Sequence, residues 1–316
     1  MAPIPGIRAI PLPFGINTCL PRRLESGDVS TQTTKAQIVK AQIVKAERFL
    51  ALHRGGDPLL LPNPWDQGSA RILASLGFEA LATTSSGFAL TLGRHDGSVT
   101  RDEALAHAGL IVAATGLPVS ADLEGGFADD PSDVAETIKL AKDAGLAGCS
   151  IEDFTGISRK HGEPGEPIYD AGLAAERIAA AAEAAHQGDV PLVLTARAEN
   201  YLHGRPGLAD TIARLQAFGQ AGADVLYAPG LTSLAEIREV MASVDRPVNV
   251  LAMPGGPSVS ELAAAGVHRI SVGGAFAFAA YGALAEAARE LRGQGTYGYL
   301  GQARAGRAAA QAAFRD

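Results

Sequence analysis

PVSADLEGGFADDPSDVAETIKLAKDAGLAGCSIED, residues 118–153, holds one complete strand–helix–strand unit, and its reading decides the fold. The apolar run 118–124 ends in acids and glycines. Asp130 then stands before Pro131, an N-cap followed by the residue best suited to the first helical position. The helix closes at Gly145, where the absence of a Cβ makes a left-handed backbone cheap. A second apolar run, 148–153, again ends in acids, Glu152 and Asp153. Strands joined through a helix lie parallel, because a parallel pair needs a long crossover.

The same alternation continues in both directions. Candidate strands lie at 59–63, 80–84, 192–198, 224–229, 248–253 and 268–273. Three pairs have capping-box spacing and mark helix starts: Thr100 with Glu103, Ser233 with Glu236, and Ser258 with Glu261. About eight such units suit an α/β fold of the (β/α)₈ TIM-barrel type. A doubly wound sheet would use fewer strands and carry a GxGxxG turn after the first, where this chain has NPWDQGSA (63–70).

Outside the barrel, residues 1–30 are rich in Pro, Arg, Ser and Gly and read as an arm. Two copies of KAQIV (35–44) begin an amphipathic N-terminal helix that runs to about Arg54. The expected division is 1–30 arm, 31–293 barrel with its N-terminal helix, and 294–316 C-terminal extension. A helix at about 302–314 has little to bury within one barrel, so a neighbouring subunit is its expected dock.

Lys and Arg total 27 against 34 Asp and Glu, a net charge of −7, which argues against a nucleic-acid footprint. Cys19 and Cys149 are the only cysteines, so neither a disulfide framework nor a CxxC metal site is present. Pro5, Gly6, Arg8, Pro11 and Pro13 interrupt any secretory apolar stretch. No uninterrupted apolar run reaches the roughly 18 residues of a membrane span. A cytoplasmic protein is expected.

In a (β/α)₈ barrel the chemistry collects at the carboxyl ends of the strands. Here those ends carry Thr84-Ser85-Ser86-Gly87, Asp122-Leu123-Glu124, Glu152-Asp153 and Arg197-Ala198-Glu199. Asp122 and Glu124, two apart on a strand, are expected to face the same side. Asp96, in the loop after the second strand, adds an acid. No cation is matched to each of these acids, and a desolvated carboxylate left unpaired is costly. A divalent cation resolves that cost, and all-oxygen donors without His or Cys suit Mg²⁺ or Mn²⁺. Arg159, Lys160 and His161 lie in a long Gly- and Pro-rich loop where a lid would sit. Cys149 reads as a buried small hydrophobe, and Trp65 as packing beneath the first turn.

The segments LLPNPWDQGSARIL (60–73), TTSSGFA (83–89), LGRHDG (92–97), SADLEGGF (120–127), SIED (150–153), LTARAE (194–199) and PVNVLAMPG (247–255) resemble, in order and spacing, the isocitrate lyase/phosphoenolpyruvate mutase superfamily. The resemblance spans about residues 45–292 and implies Asp122 as direct Mg²⁺ ligand, with Asp96, Glu124 and Glu152 holding metal-bound waters. It implies Thr84, Ser86 and the Gly87 amide near the substrate carboxylate, and Arg197 on an oxygen of a 2-oxo acid. A metal-stabilised enolate would form as a C–C or P–C bond breaks. A homodimer or homotetramer with the C-terminal helix exchanged between subunits is also implied.

Isocitrate and methylisocitrate lyases carry a Lys-Lys/Arg-Cys-Gly-His loop after strand four. This chain has DFTGISRKHGEPGEPIYD (153–170) there, without cysteine, and Tyr227-Ala228-Pro229-Gly230 where those lyases have an acid. The asparagine-bearing loop of phosphonopyruvate mutases is missing as well. The expectation is an enzyme on a small 2-oxo acid that is not a typical isocitrate lyase, with Arg197, Glu152 and His161 as catalytic candidates. Two other classes fit the sequence: a phosphate-binding barrel using MPGGPS (253–258) and VGGAF (272–276), and a non-catalytic 2-oxo acid binder.

Overall fold

The computed structural model describes residues 29–156 and 167–314. The chain divides into two units, 1–37 and 38–316, and the first helix, α1 (Val29–Leu52), runs across that division. The second unit is a barrel of eight parallel strands, each expected from the sequence. They are β1 Leu59–Leu61, β2 Leu81–Ala82, β3 Val119–Asp122, β4 Gly148–Glu152, β5 Val193–Arg197, β6 Val225–Tyr227, β7 Val248–Leu251 and β8 Arg269–Ser271. Ladders join β2 through β8 in sequence order, and β8 returns to β1. Side-chain and backbone bonds close the remaining seam. The Ala82 amide donates to the Pro62 carbonyl (3.1 Å), and Asn63 Nδ2 donates to the Thr83 carbonyl (2.9 Å). Asn63 Oδ1 accepts from the amides of Val272 and Gly273, so one side chain ties β1, β2 and β8 together.

The helices start where the sequence provides caps. α4 (Arg101–Ala114) and α9 (Val259–Ala264) have full capping boxes from Thr100 with Glu103 and Ser258 with Glu261. Asp130 caps α5 (Pro131–Asp143), and Gly145 follows it at φ +85°. At α8 (Leu234–Ser243) the expected box is only half made: Ser233 accepts from the Glu236 amide, but Tyr201 Oη donates to the Glu236 carboxylate at 3.1 Å. A tertiary partner displaced the local one there. α2 (Gln67–Ser75) opens with a box the sequence reading missed, Asp66 with Ser69, because serine stands where Glu or Gln is usual.

Phe49 of α1 is fully buried at the floor of the barrel with Leu59, Ala80, Val193 and Val225. Gly148 makes room for it, since a Cβ there would lie 2.7 Å from the Phe49 ring. α6 (Ala171–His186) and α7 (Leu208–Gln220) bury their apolar faces on the outside of the strands. Among the described residues no helix covers the outward Leu60 of β1, which is 41% exposed. α10 (Ala275–Gly293) buries only Ala277 and leaves Phe278, Leu284 and Leu291 exposed. α11 (Leu300–Ala313) packs along α2 of its own chain, with Arg71 over the Phe314 ring, yet none of its residues is buried.

Candidate active site

All eight strands and the short helix α3 (Ser85–Thr91) contribute to the wall of a cavity of about 190 Å³ at the carboxyl end of the barrel. Thr84, Ser85, Ser86, Asp96, Asp122 and Arg197 border it. Arg197 ends β5 and organises the rim. Its Nη1 donates to Asp122 Oδ1 (3.0 Å), its Nη2 reaches Glu152 Oε2 (3.1 Å), and its Nε donates to Glu199 Oε1 (2.8 Å). The guanidinium also lies 5.2 Å from the centre of the Tyr227 ring. Burial opposes its charge, but Glu199, Glu152 and Asp122 together hold the Arg197 pKa well above its usual range. The expectation that the acids lack cationic partners is thus corrected for Asp122 and Glu152. Arg197, read from the sequence as a substrate contact, is set by the structure among the acids at the carboxyl ends of β3, β4 and β5.

One arginine does not balance the rim. Burial pushes the Glu152 carboxyl well upward against Arg197, and Glu199, Asp122 and Glu124 add to it. Glu124 is buried and makes no hydrogen bond or ion pair through its carboxyl with any described residue. Its pKa is pushed up to about 8, first by burial and then by Asp122 and Asp96. Asp96 is shifted upward as well, by the protein packed around it and then by Asp122. The Asp96 side chain still meets solvent, which screens that effect, so Glu124 carries more weight.

The i, i+2 argument for Asp122 and Glu124 fails in detail. β3 ends at Asp122, and Glu124 lies in the left-handed region at φ 49°, in a turn continued by Phe127 at φ 60°. Non-glycine residues held there cost about 1–3 kcal/mol each and persist only under firm support. Arg177 of α6 gives such support: it donates to the carbonyls of Gly125, Ala128 (2.8 Å) and Glu152 (3.2 Å). The turn keeps Glu124 within electrostatic reach of Asp122 but behind the cavity wall.

Thr84 caps α3, accepting from the Gly87 amide at 3.3 Å, and its Oγ1 lies 3.1 Å from Ser86 Oγ. The Gly87 amide expected to hold a ligand is therefore engaged within the protein. The Ser85 amide instead donates to Asp122 Oδ2 at 3.2 Å, a contact no spacing in the sequence announces. Asp153 points away from the rim into an ion pair with Arg214 (3.0 Å). Cys149 is fully buried, and burial raises its thiol far above the ordinary range, which makes it unreactive. His161 lies outside the described residues, as do Arg159 and Lys160.

The donor set fits a hard divalent cation. Asp122 raises the charge cost of Asp96 and Glu124, and all three are oxygen donors. Among the described residues no three such groups already converge on one point. That arrangement suits an ion with one direct protein ligand and several retained waters, as Mg²⁺ prefers, over a closed protein cage.

Comparison with known proteins gives the same site a family context. Residues 49–292 match the family model described as phosphoenolpyruvate phosphomutase. A crystal structure from Burkholderia cenocepacia J2315, provisionally assigned as a lyase/mutase, is 54% identical with a TM-score of 0.78, covering 82% of this chain and 92% of its own. The oxaloacetate decarboxylase of a Marinomonas species is 28% identical over 78% of this chain and 84% of its own. Oxaloacetate acetylhydrolase, solved with its product oxalate, is 26% identical with a TM-score of 0.71, covering 82% of this chain and 89% of its own.

Proposed function

The chain belongs to the phosphoenolpyruvate phosphomutase family, within the isocitrate lyase/phosphoenolpyruvate mutase superfamily, and from that premise we propose a divalent-cation-dependent enzyme that breaks a C–C or P–C bond of a small 2-oxo acid. The observation that carries the metal is Glu124, a buried carboxyl beside Asp122 and Asp96 that makes no ion pair with any described residue. In this reading Asp122 binds Mg²⁺ or Mn²⁺ directly, while Asp96, Glu124 and Glu152 hold water around it. The ion, when bound, supplies Lewis-acid stabilisation to the oxygen of the 2-oxo group as negative charge develops.

The protein's own groups divide the remaining work. Thr84 and Ser86 offer hydroxyl donors to the substrate carboxylate. Arg197 fixes the orientation of Asp122 and Glu152 and presents positive charge to the 2-oxo acid. Glu152, whose carboxyl burial pushes upward, lies behind Arg197 rather than on the cavity wall and acts on the substrate through that arginine or a bound water. The sequence between 154 and 170 has no thiol, so proton delivery by cysteine from that loop is excluded, and His161 is the titratable group there near neutral pH. Hydrolysis, decarboxylation or retro-aldol cleavage fits these groups better than isocitrate cleavage. The missing loop cysteine carries that choice, since 2-methylisocitrate lyases and oxaloacetate-directed enzymes are both similar to this chain.

The decisive experiment is calorimetry of oxalate binding with and without Mg²⁺. Wild type should bind oxalate only with the metal, and Asp122→Ala should abolish that binding. A folded Asp122→Ala protein that binds Mg²⁺ and oxalate like wild type refutes the assignment. Against a panel of 2-oxo acids, Cys149→Ala should keep its turnover, while His161→Ala should lose roughly 10²-fold. For assembly, a homodimer or homotetramer is proposed from the uncovered faces of Leu60 and α10. Deleting 294–316 should lower the mass seen in sedimentation, and a monomeric full-length chain would exclude this.

A further inference from the structure

Beneath the acid rim the barrel interior is polar, where such barrels are usually filled by branched apolar side chains. Ser120, Ser150, Asn249 and Ser271 border the cavity below Asp122, and so does Arg269, the first residue of β8. Arg269 is buried, at 4% exposure, and it makes no ion pair with any described carboxylate. Its three partners are neutral acceptors: Nε donates to Asn249 Oδ1 (2.9 Å), Nη2 to Thr195 Oγ1 (3.1 Å) and Nη1 to His53 Nε2 (3.2 Å).

None of its neighbours can act as counter-ion. His53 Nδ1 lies 2.8 Å from the Phe49 carbonyl, which can only accept, so Nδ1 carries the hydrogen. His53 Nε2 is then the lone pair that receives Arg269, and the imidazole is neutral. Burial, followed by the charge of Arg269, pushes the His53 pKa down to about 3, in keeping with that tautomer. Tyr227, raised by burial to about 12, is a neutral phenol at physiological pH. Arg269 itself, lowered by burial to about 10, remains protonated. Arg197, whose charge is felt at Arg269, is already shared among three carboxylates. A guanidinium has five N–H groups, and these partners take three of them. The floor of the cavity is therefore a buried positive charge with unused donors, next to open volume and hydroxyl groups. Removing one charge from water without an opposite one is strongly unfavourable, and an anion relieves it.

We propose that the cavity floor is a monoanion-binding site with Arg269 as its cation, and that it receives the second carboxylate of a 2-oxo dicarboxylic acid whose 2-oxo end is held at the rim. The substrate part of this proposal rests on the reading of the rim given above. The same chemistry can also be met by a free halide, so the test separates the two sources.

The full-length protein with Mg²⁺ is titrated with oxalate, 2-oxopentanoate and 2-oxoglutarate, in chloride-free buffer and again in NaCl. Crystals are soaked in NaBr for anomalous scattering. 2-Oxoglutarate should bind at least about 10-fold more tightly than 2-oxopentanoate, which has the same length without the second carboxylate. Chloride should weaken 2-oxoglutarate alone, and bromide should appear beside Arg269. Arg269→Met should erase the preference and the bromide peak while oxalate affinity stays. Arg269→Lys, which retains the charge, should recover both in part, and the chloride competition needs no variant should either fail to fold. Bromide at Arg269 with no preference for 2-oxoglutarate would keep the anion site and refute its substrate role. No bromide, no chloride effect and no preference would overturn the proposal. Failure of wild type to bind oxalate would condemn the rim reading instead, leaving the bromide result to judge the floor.

Discussion

At the amino-terminal end of the barrel Phe49 seals the interior among Leu59, Ala80, Val193 and Val225, whereas at the carboxyl end Asp122, Glu152 and Glu199 share one arginine while Glu124 has none. Both ends are made from the same eight strands, a few residues apart. The floor gains free energy by removing apolar area from water, and the rim spends some of it by crowding like charges. Stability and chemistry are thus separable along the barrel axis, and substitutions at the two ends should have opposite signatures.

The largest effect is expected at the floor. Phe49→Ala removes a fully buried ring and should cost about 3–5 kcal/mol in urea unfolding. Oxalate affinity should be unchanged in the fraction that remains folded. A comparable loss of oxalate affinity would show that the two ends are coupled after all. The opposite signature belongs to Glu124→Gln. Glu124 has a folded pKa of about 8, above its value in the unfolded chain, so its contribution to stability is complete below the unfolded value and is lost as pH rises through about 8. Metal-free Glu124→Gln should therefore gain on wild type progressively from about pH 5 to pH 9, by roughly 1–3 kcal/mol in thermal or urea unfolding. It should also bind Mg²⁺ more weakly. An equal stability difference at both pH values would mean that Glu124 is not crowded.

The smallest effect sharpens the contrast at the floor. His186 Nε2 lies 3.0 Å from Asp224 Oδ2, and that hydrogen bond raises the imidazole pKa. The stabilisation is complete below the unfolded His value and disappears as pH rises through the folded one. His186 is half-exposed, so screening limits the pair to about 0.2–1 kcal/mol. His186→Ala should flatten that small slope above pH 6.5 without changing ligand binding.

The strands were legible because each buried run has a helix cap or a turn glycine at its border, as Asp130-Pro131 and Gly145 do around α5. The acids of the rim were legible for a related reason: nothing but function or a close partner explains Asp122 and Glu152 at the ends of apolar strands. Two contacts of Asp122 across strands were not legible. Asp122 with Arg197 is a contact over 75 positions, and Ser85 with Asp122 one over 37, both created only by closure of the barrel. The left-handed turn at Glu124 was hidden too, because an acid followed by Gly125-Gly126 gives no sign of which residue takes positive φ. Arg269 was passed over for the opposite reason. A single arginine in an apolar strand resembles a strand-edge charge until β1, β5 and β7 enclose it.

α10 begins immediately after Gly273 and Gly274, which border the cavity, and it is almost wholly exposed, with Phe278, Leu284 and Leu291 uncovered. Any molecule that covers its outer face takes hold of a segment whose root is part of the cavity wall. Thermodynamic reciprocity then requires that if ligand occupancy alters how firmly that helix is held, covering the helix alters ligand affinity by the same factor.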